Sequence, residues 1–189
     1  MSFHEKTLIF ATSNRSKFLE AKAVLAKYGI ELGMKRIKTV EVKSDDLRSI
    51  VVYSAQDAWE KVKRPLLVED AGLFVHTLSG FPGPYSSYVY RTIGIAGILK
   101  LMEGRRDRRA FFSSALAYVE SKGLMKVFLG KAEGEISHEP RGEGGFGFDP
   151  IFIPKGKDRT FAEMSLEEKN VYSHRAKALE KFAKWYRRG

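Results

Sequence analysis

The apolar pattern near the start of the chain predicts a buried strand that turns directly into an amphipathic helix. The apolar run at residues 8–11 is short and continuous, and small polar residues 12–14 follow it. The next apolar positions recur with a helical period, and Lys22 can join them through its alkyl stem. The predicted buried face of this helix consists of Phe18, Ala21, Lys22, Leu25 and Tyr28.

The middle of the chain predicts a second helix between strands. Residues 31–42 alternate loosely and predict one or two strands, with Glu41 near the end. A helical apolar stripe then runs from Leu47 to Val62 and ends before Pro65. This stripe is typical of core packing rather than of a cofactor site.

Two short apolar runs follow Pro65, separated by acidic and small residues. The first run, 66–68, predicts a short buried strand that delivers Glu69 and Asp70 to its end. Ala71 and Gly72 predict a turn before the second run. Both carboxylates are therefore expected at a strand end.

The rest of the chain predicts a loop at 79–84, a helix at 93–102, a hairpin of strands at 111–120 and 125–133, a glycine-rich loop at 141–147 and a strand at 151–153. Ser165 begins a capping box, and Ser173 caps a restart of the C-terminal helix. Because helices and strands alternate first and the hairpin comes later, we expect an α/β protein with a mixed sheet flanked by helices. The length predicts a single domain, residues 1–189, without a linker.

Composition narrows the class of protein. The chain has 43 % hydrophobic residues and no cysteine, which excludes disulfides, thiolate metal sites and a cysteine nucleophile. No apolar run approaches the roughly 20 residues of a membrane-spanning helix, and no secretory signal precedes the first strand, so we expect a cytoplasmic protein without a membrane partner. Few Asn and Gln beside 30 % charged residues indicate a thermophilic source.

The net charge of +10 favours polyanionic partners, or serves solubility alone. Its densest cluster is 105–109, which we interpret as an exposed turn. Because no aromatic residue lies within this cluster, it lacks the stacking surface that single-stranded nucleic acids require.

The turn at residues 12–14 is a candidate anion site. A strand that turns into a helix points free backbone N–H groups at the space above the turn, and the helix dipole favours negative charge there. Asn14 is the expected N-cap, and Lys17 falls in the first turn, where a cation is unfavourable unless it meets an anion. The turn is therefore either a phosphate cradle or an ordinary strand-turn-helix with a good cap.

Glu69 and Asp70 are candidate ligands for Mg²⁺, which prefers one or two protein carboxylates completed by water and substrate phosphates. Glu41 is the candidate second ligand, and a carboxylate beside the metal can take a proton from an attacking water. The alternatives are a surface carboxylate for Glu41 and a turn-forming residue for Asp70. Without further context, Lys169 is expected to be a solvated lysine on a helix, and His174 is expected at a helix start or on the surface.

The glycine-rich segment 142–147 matches G-x-G-x-x-G but does not predict a dinucleotide site. That fingerprint must open a helix, whereas Pro150 disfavours a helical conformation at Asp149. We expect instead a tight loop whose backbone can approach a flat ligand closely.

Five blocks of sequence together resemble one known family. They are 11–17, 69–73, 81–83, 145–152 and Lys169 with 173–175. In this order and spacing, over essentially the whole chain, they resemble the inosine triphosphatase (XTP/dITP/ITP diphosphatase) family, which removes non-standard purine nucleoside triphosphates. The resemblance implies a long mixed sheet with helices, two lobes around a central cleft, a homodimer and Mg²⁺. It also implies hydrolysis of ITP, dITP or XTP to a nucleoside monophosphate and pyrophosphate.

The resemblance further implies a role for individual residues. Asp70 would be the proton acceptor and a Mg²⁺ ligand, with Glu41 as the second ligand. Lys169 would pair with phosphate, and His174 with Arg175 would recognise the base. The triphosphate would be held by Thr12, Ser13, Asn14, Arg15, Ser16 and Lys17. Part of the base pocket would be formed by Phe146, Gly147, Phe148 and Asp149.

Two positions depart from the family pattern. Lys43 stands where many members have a neutral polar residue, so the alignment of Glu41 is the least secure. Ala71, an expected substrate contact, replaces a common serine, and only a contact through its backbone N–H survives that change. Two other functions stay open: a pyrophosphatase for other modified nucleotides, and a non-enzymatic nucleic-acid-binding protein with strongly salt-dependent binding.

Overall fold

The computed structural model describes residues 7–40, 42–121 and 123–188. Its strands are β1 (Leu8–Ala11), β2 (Leu32–Lys35), β3 (Leu66–Val75), β4 (Pro82–Gly83), β5 (Arg109–Ser121), β6 (Leu124–Ile136) and β7 (Phe152–Pro154). Its helices are α1 (Arg15–Ala26), α2 (Leu47–Val62), α3 (Ser86–Thr92), α4 (Gly94–Leu101), α5 (Leu166–Tyr172) and α6 (His174–Tyr186). Within the described ranges, no helix is long and apolar enough to cross a membrane.

The strands form one mixed sheet in the order β2-β1-β3-β5-β6-β7, with β4 also paired to β3. β1 runs parallel to β2 and β3, while the β3–β5, β5–β6 and β6–β7 pairs are antiparallel. The predicted mixed α/β fold and the predicted hairpin are both confirmed. The two-lobed arrangement remains a prediction.

Helices pack on both faces of the sheet. On the α6 face, Phe10 and Leu67 pack in one cluster with Leu25 of α1 and Phe182 of α6. On the α2 face, Leu66 and its neighbours pack against the apolar stripe of α2. Because successive side chains of a strand alternate between faces, Glu69 points to the α6 face and Asp70 to the α2 face.

Helix starts follow the local rules of capping. The side chains of Asn14, Asp46 and Ser173 accept hydrogen bonds from the first turns of α1, α2 and α6, and Ser165 forms the predicted capping box of α5. The predicted buried face of α1 was partly wrong. Lys22 is exposed, and α1 instead turns Glu20 and Val24 inward, with Ala21 and Leu25.

The predicted break of β3 after Asp70 was also wrong, because β3 continues through Ala71 and Gly72 to Val75. The small residue at position 72 serves close packing rather than a turn. A Cβ at Gly72 would lie 2.1 Å from the carbonyl oxygen of Gly83, so only glycine lets β4 approach. Glu69 and Asp70 therefore lie in the middle of a strand.

The outer edge of β6 is covered by lysines. β7 pairs with β6 only at 134–136, among the pairs in the described chain. Farther along β6, Lys177 Nζ donates to the carbonyl oxygen of Lys131 at 2.9 Å, and Lys181 Nζ donates to that of Leu129 at 2.7 Å. Side chains of α6 thus satisfy carbonyl groups that no strand covers there.

Candidate active site

The turn after β1 forms the expected capped helix start. The backbone N–H of Asn14 donates to Thr12 Oγ1 at 3.1 Å, and Asn14 Oδ1 accepts from the backbone N–H of Lys17 at 3.0 Å. Ser13 and Arg15 are exposed, and Ser16 is half-buried. Asn14 is confirmed as the N-cap, and the turn presents its exposed residues to solvent above the helix N-terminus.

Lys17 connects this turn to β3. Its Nζ lies 2.9 Å from Glu69 Oε2 and 3.9 Å from Asp70 Oδ1, and it donates to the carbonyl oxygen of Glu69 at 3.4 Å. Residues more than 50 positions apart in sequence therefore meet at one point. Lys17, in the helix turn that follows the candidate anion site, and the two candidate carboxylates share a site.

The site lies where β3 changes partners along one edge. β1 pairs with Leu66 and Leu67, and β4 pairs with Leu73 and Phe74, so the register places 68–72 between these two partners. In this interval the carbonyl of residue 69 accepts from Lys17, and the N–H of residue 71 donates to its neighbour's carboxylate at 2.9 Å. Side chains, rather than a strand, contact the backbone here.

The two adjacent carboxylates have different environments. The side chain of Glu69 is 1 % exposed and accepts a hydrogen bond from Ser114 Oγ at 2.7 Å. Burial alone would raise the pKa of Glu69, but Arg175 and Lys17 hold it well below its ordinary value. The side chain of Asp70 is 32 % exposed, and burial with the adjacent Glu69 raises its pKa against the effect of Lys17. Asp70 is thus the carboxylate that solvent can reach.

A buried network of ion pairs extends from Glu69 across the α6 face. Arg175 pairs with Glu69 at 3.1 Å and also with Glu20. Lys169 Nζ lies 2.6 Å from Glu20 and 2.6 Å from Asp149. Burial would raise the pKa of Glu20, but the two cations lower it, while burial raises the pKa of Asp149 against the effect of Lys169. The sequence-based alternative of a solvated Lys169 is wrong, because this side chain is 3 % exposed.

The glycine-rich loop places an aromatic ring against this network. The Phe146 ring centroid lies 4.8 Å from Lys169 Nζ and 5.4 Å from the Arg175 guanidinium carbon. The backbone N–H of Phe146 donates to Asp149 Oδ2 at 2.7 Å, and a Cβ at Gly145 would lie 2.3 Å from that oxygen. A 3₁₀ turn and β7 follow the loop, so the prediction of a tight loop without a dinucleotide helix is confirmed.

His174 is buried at the start of α6. Its ring stacks on Phe112, with centroids 4.7 Å apart and an interplanar angle of 12°. Burial lowers the pKa of His174 well below 6.5, so the ring is neutral at neutral pH. Its Nδ1 is buried and has no hydrogen-bond partner among the described residues. The alternative of a surface histidine is wrong.

The structure brings together most, but not all, of the candidate residues. Phe148 is buried and packs edge-on against Tyr90, so it belongs to the core behind the loop. Glu41 lies outside the described residues. Sequence reasoning missed Glu20, whose spacing of three from Lys17 places it on the same helix face but carries no signal of burial.

A divalent metal fits the chemistry of Asp70. Among the described residues, no group of three or more His, Cys, Asp or Glu could hold a metal by itself. Mg²⁺ needs only one or two protein carboxylates when phosphates and water complete its shell. Asp70 is a partly exposed carboxylate 3.9 Å from Lys17 Nζ in the first turn of α1, so its position fits that kind of site.

Comparisons with known proteins identify the family of this chain. Residues 8–185 match the model of the Ham1 family. A dITP/XTP pyrophosphatase of Methanopyrus kandleri is 52 % identical over 95 % of this chain and 96 % of its own. Another, of Saccharolobus solfataricus, is 53 % identical over 92 % of this chain and 90 % of its own. Both sources are archaeal, which fits the thermophilic source that the composition predicts.

Solved structures show the same architecture. A HAM1 protein from Coxiella burnetii superposes with a TM-score of 0.85 at 29 % identity, covering 97 % of this chain and 99 % of that one. A Ham1 protein from Staphylococcus aureus superposes with a TM-score of 0.81 at 26 % identity, covering 96 % of this chain and 98 % of that one.

Proposed function

The chain belongs to the Ham1 family, and we propose that it is a nucleoside triphosphate pyrophosphatase acting on dITP, XTP and ITP with Mg²⁺ as cofactor. Its products are the nucleoside monophosphate and pyrophosphate. One observation carries the proposal: Lys17 Nζ, in the first turn of α1, lies 3.9 Å from Asp70 Oδ1. In this proposal the phosphate-binding turn and the solvent-accessible carboxylate therefore both contact the bound triphosphate.

The turn at 12–17 binds the triphosphate in this proposal. Backbone N–H groups at a helix N-terminus and the cation of Lys17 both favour negative charge. Lys17 pairs with Glu69, and in this proposal the bound phosphates add further negative charge beside this lysine of the first helical turn. Lys169 is the second cation that the family resemblance assigns to phosphate. Its Nζ is held between Glu20 and Asp149 and lies 4.8 Å from the Phe146 ring centroid.

Asp70, with Glu41 as second ligand, holds Mg²⁺ in this proposal. The bound ion supplies charge neutralisation and lowers the pKa of a coordinated water. Asp70 orients the attacking water and accepts its proton. The water oxygen forms a bond to the α-phosphorus, the bond from that phosphorus to the bridging oxygen breaks, and pyrophosphate leaves.

The base pocket lies at the Phe146 ring in this proposal. Phe146 provides a face for stacking, and Lys169 has three N–H donors, of which Glu20 and Asp149 use two. In this proposal the third donor, with Arg175, binds the 6-oxo group of hypoxanthine or xanthine. An adenine amino group would leave such a donor unpaired, which costs about 1–3 kcal/mol per buried group.

An exposed apolar surface supports the proposed homodimer. Large hydrophobic side chains are exposed from the residue before β4 to the end of α4, namely Phe81, Tyr85, Tyr88, Tyr90, Ile93 and Leu101. Such a cluster is typical of a surface that a second protein covers. The alternative of a nucleic-acid-binding protein gains little support, because Arg109 pairs with Asp107, and Arg108 donates to backbone carbonyl groups.

A product assay tests the proposed function. The purified protein is incubated with dITP, XTP, ITP, dGTP, dATP or dTTP, with Mg²⁺ or with EDTA, and the products are separated by anion exchange. We expect monophosphate and pyrophosphate from the first three nucleotides, only with Mg²⁺. Release of orthophosphate and a diphosphate, or equal turnover of dATP, would contradict the proposal. Preferred turnover of dTTP would favour the alternative of other modified or pyrimidine nucleotides.

A further inference from the structure

Two buried cations share one carboxylate that no sequence motif identified. Lys169 and Arg175 are 3 % and 2 % exposed. Glu20 Oε1 lies 2.6 Å from Lys169 Nζ, and Glu20 Oε2 accepts from Arg175 Nη1. Among the carboxylates of the described residues, Glu20 is the one that forms ion pairs with both of these cations.

Glu20 also stands on the helix that begins at the anion-binding turn. Lys17 and Glu20 are three residues apart and share a face of α1. Lys17 contacts Glu69, and Glu69 pairs with Arg175 at 3.1 Å. The buried charges therefore alternate in one continuous series formed by Lys17, Glu69, Arg175, Glu20, Lys169 and Asp149.

This arrangement fixes the direction of both cations. A buried lysine without an anionic partner loses its proton or moves towards water. Glu20 and Asp149 hold two donors of Lys169, which sets the direction of the third. Glu20 likewise holds one terminal nitrogen of Arg175, which keeps the guanidinium group near the Phe146 ring.

We propose that Glu20 is a positioning residue of the base pocket, which holds Lys169 and Arg175 in the orientation that recognises a 6-oxopurine. Glu20 acts through these two cations and ties their orientation to α1, whose first turn binds the phosphates. The inference rests on the proposed function and deepens it. Phosphate binding and base recognition then depend on different residues of one helix.

Glu20→Gln tests this role, because it keeps the side-chain shape but leaves only one acceptor oxygen for two cations. We expect KM for dITP to rise by about 10- to 100-fold, since a hydrogen bond to a charged group is lost. Selectivity for dITP over dATP falls by a similar factor. Inhibition by tripolyphosphate, which has no base, stays unchanged, and so does kcat within a few-fold.

Two further variants keep the test decisive. Glu20→Asp retains the charge but withdraws the carboxylate by one methylene, and it is expected to give an intermediate loss of selectivity if Glu20→Gln does not fold. Glu31→Gln removes an exposed carboxylate just beyond α1 and is the matched control with wild-type kinetics. Unchanged KM and selectivity in a folded Glu20 variant would overturn the positioning role while wild-type turnover upholds the enzyme. Absence of wild-type turnover would overturn the proposed function and this inference together.

Discussion

The two faces of the sheet treat neighbouring carboxylates of β3 in opposite ways. On the α6 face, Glu69 is 1 % exposed, its charge is balanced by Arg175 and Lys17, and its pKa is lowered. On the α2 face, Asp70 is 32 % exposed, and its pKa is raised. A compensated charge stabilises a fold and orients its partners, whereas an accessible carboxylate can bind a metal and accept a proton. Because successive side chains of a strand point to opposite faces of the sheet, one of two adjacent carboxylates is buried in ion pairs while the other is accessible to a ligand.

The largest effect is expected when the carboxylate of Asp70, on the α2 face, is removed. We expect Asp70→Asn to fold normally and to lose about 10²- to 10⁴-fold in kcat/KM, the range for loss of a general base. Initial rates of pyrophosphate release from dITP measure the loss. Asp158→Asn, an exposed isosteric control, is expected to keep wild-type rates. Full activity of Asp70→Asn would contradict the role of Asp70 as metal ligand and proton acceptor.

Removing the charge of Glu69 tests the role of the ion pairs on the α6 face. Glu69→Gln leaves Arg175 and Lys17 without their shared anion, so we expect the free energy of unfolding to fall by about 3–5 kcal/mol. Urea denaturation at pH 7 measures this change. Glu133→Gln, which removes an exposed partner of Lys131, is expected to cost less than about 0.5 kcal/mol. Equal effects of the two variants would contradict the comparison.

The pH dependence of stability tests His174, a neutral group inside the charged face. Below pH 6.5 the unfolded chain binds a proton at this residue that the native ring does not, so stability falls as the pH decreases. The slope from this group is at most about 1.4 kcal/mol per pH unit. Denaturation curves from pH 7.5 to 5.5 should show a smaller loss for His174→Gln than for wild type. An unaltered slope in His174→Gln would refute the assignment.

The smallest effect is expected for the exposed basic cluster. The double variant Arg105→Gln with Arg106→Gln removes two exposed charges. We expect the free energy of unfolding to change by less than about 0.5 kcal/mol. Turnover of dITP should be unchanged. Oligonucleotide binding in gel-shift titrations at two salt concentrations completes the test. A strong, salt-sensitive affinity that the double variant loses would favour the nucleic-acid-binding alternative.

Local rules predicted those parts of the fold that depend on neighbours in sequence. The caps at Asn14 and Ser173 and the capping box at Ser165 each need only a few consecutive residues. The β5–β6 hairpin likewise follows from two apolar runs around a short turn. These elements require no knowledge of distant contacts, and the structure confirms them.

Long-range contacts determined the features that the sequence did not reveal. Gly72 was interpreted as a turn residue, although its role is to let the Gly83 backbone approach. Glu20 and Lys169 belong to residue types that are mostly solvated, and their burial depends on charges supplied from other helices. The family-like blocks predicted Lys169 and Arg175 as site residues, but only the structure shows the carboxylate between them.

The lysines of α6 that bond to the edge of β6 have a consequence for behaviour on heating. An uncovered strand edge is a template on which another chain can add a strand and begin an aggregate. Lys177 and Lys181 occupy carbonyl oxygens that such an incoming chain would need, and they also repel it by charge when that chain is a second copy. We therefore expect Lys177 and Lys181 to oppose aggregation through this strand edge when the protein is heated.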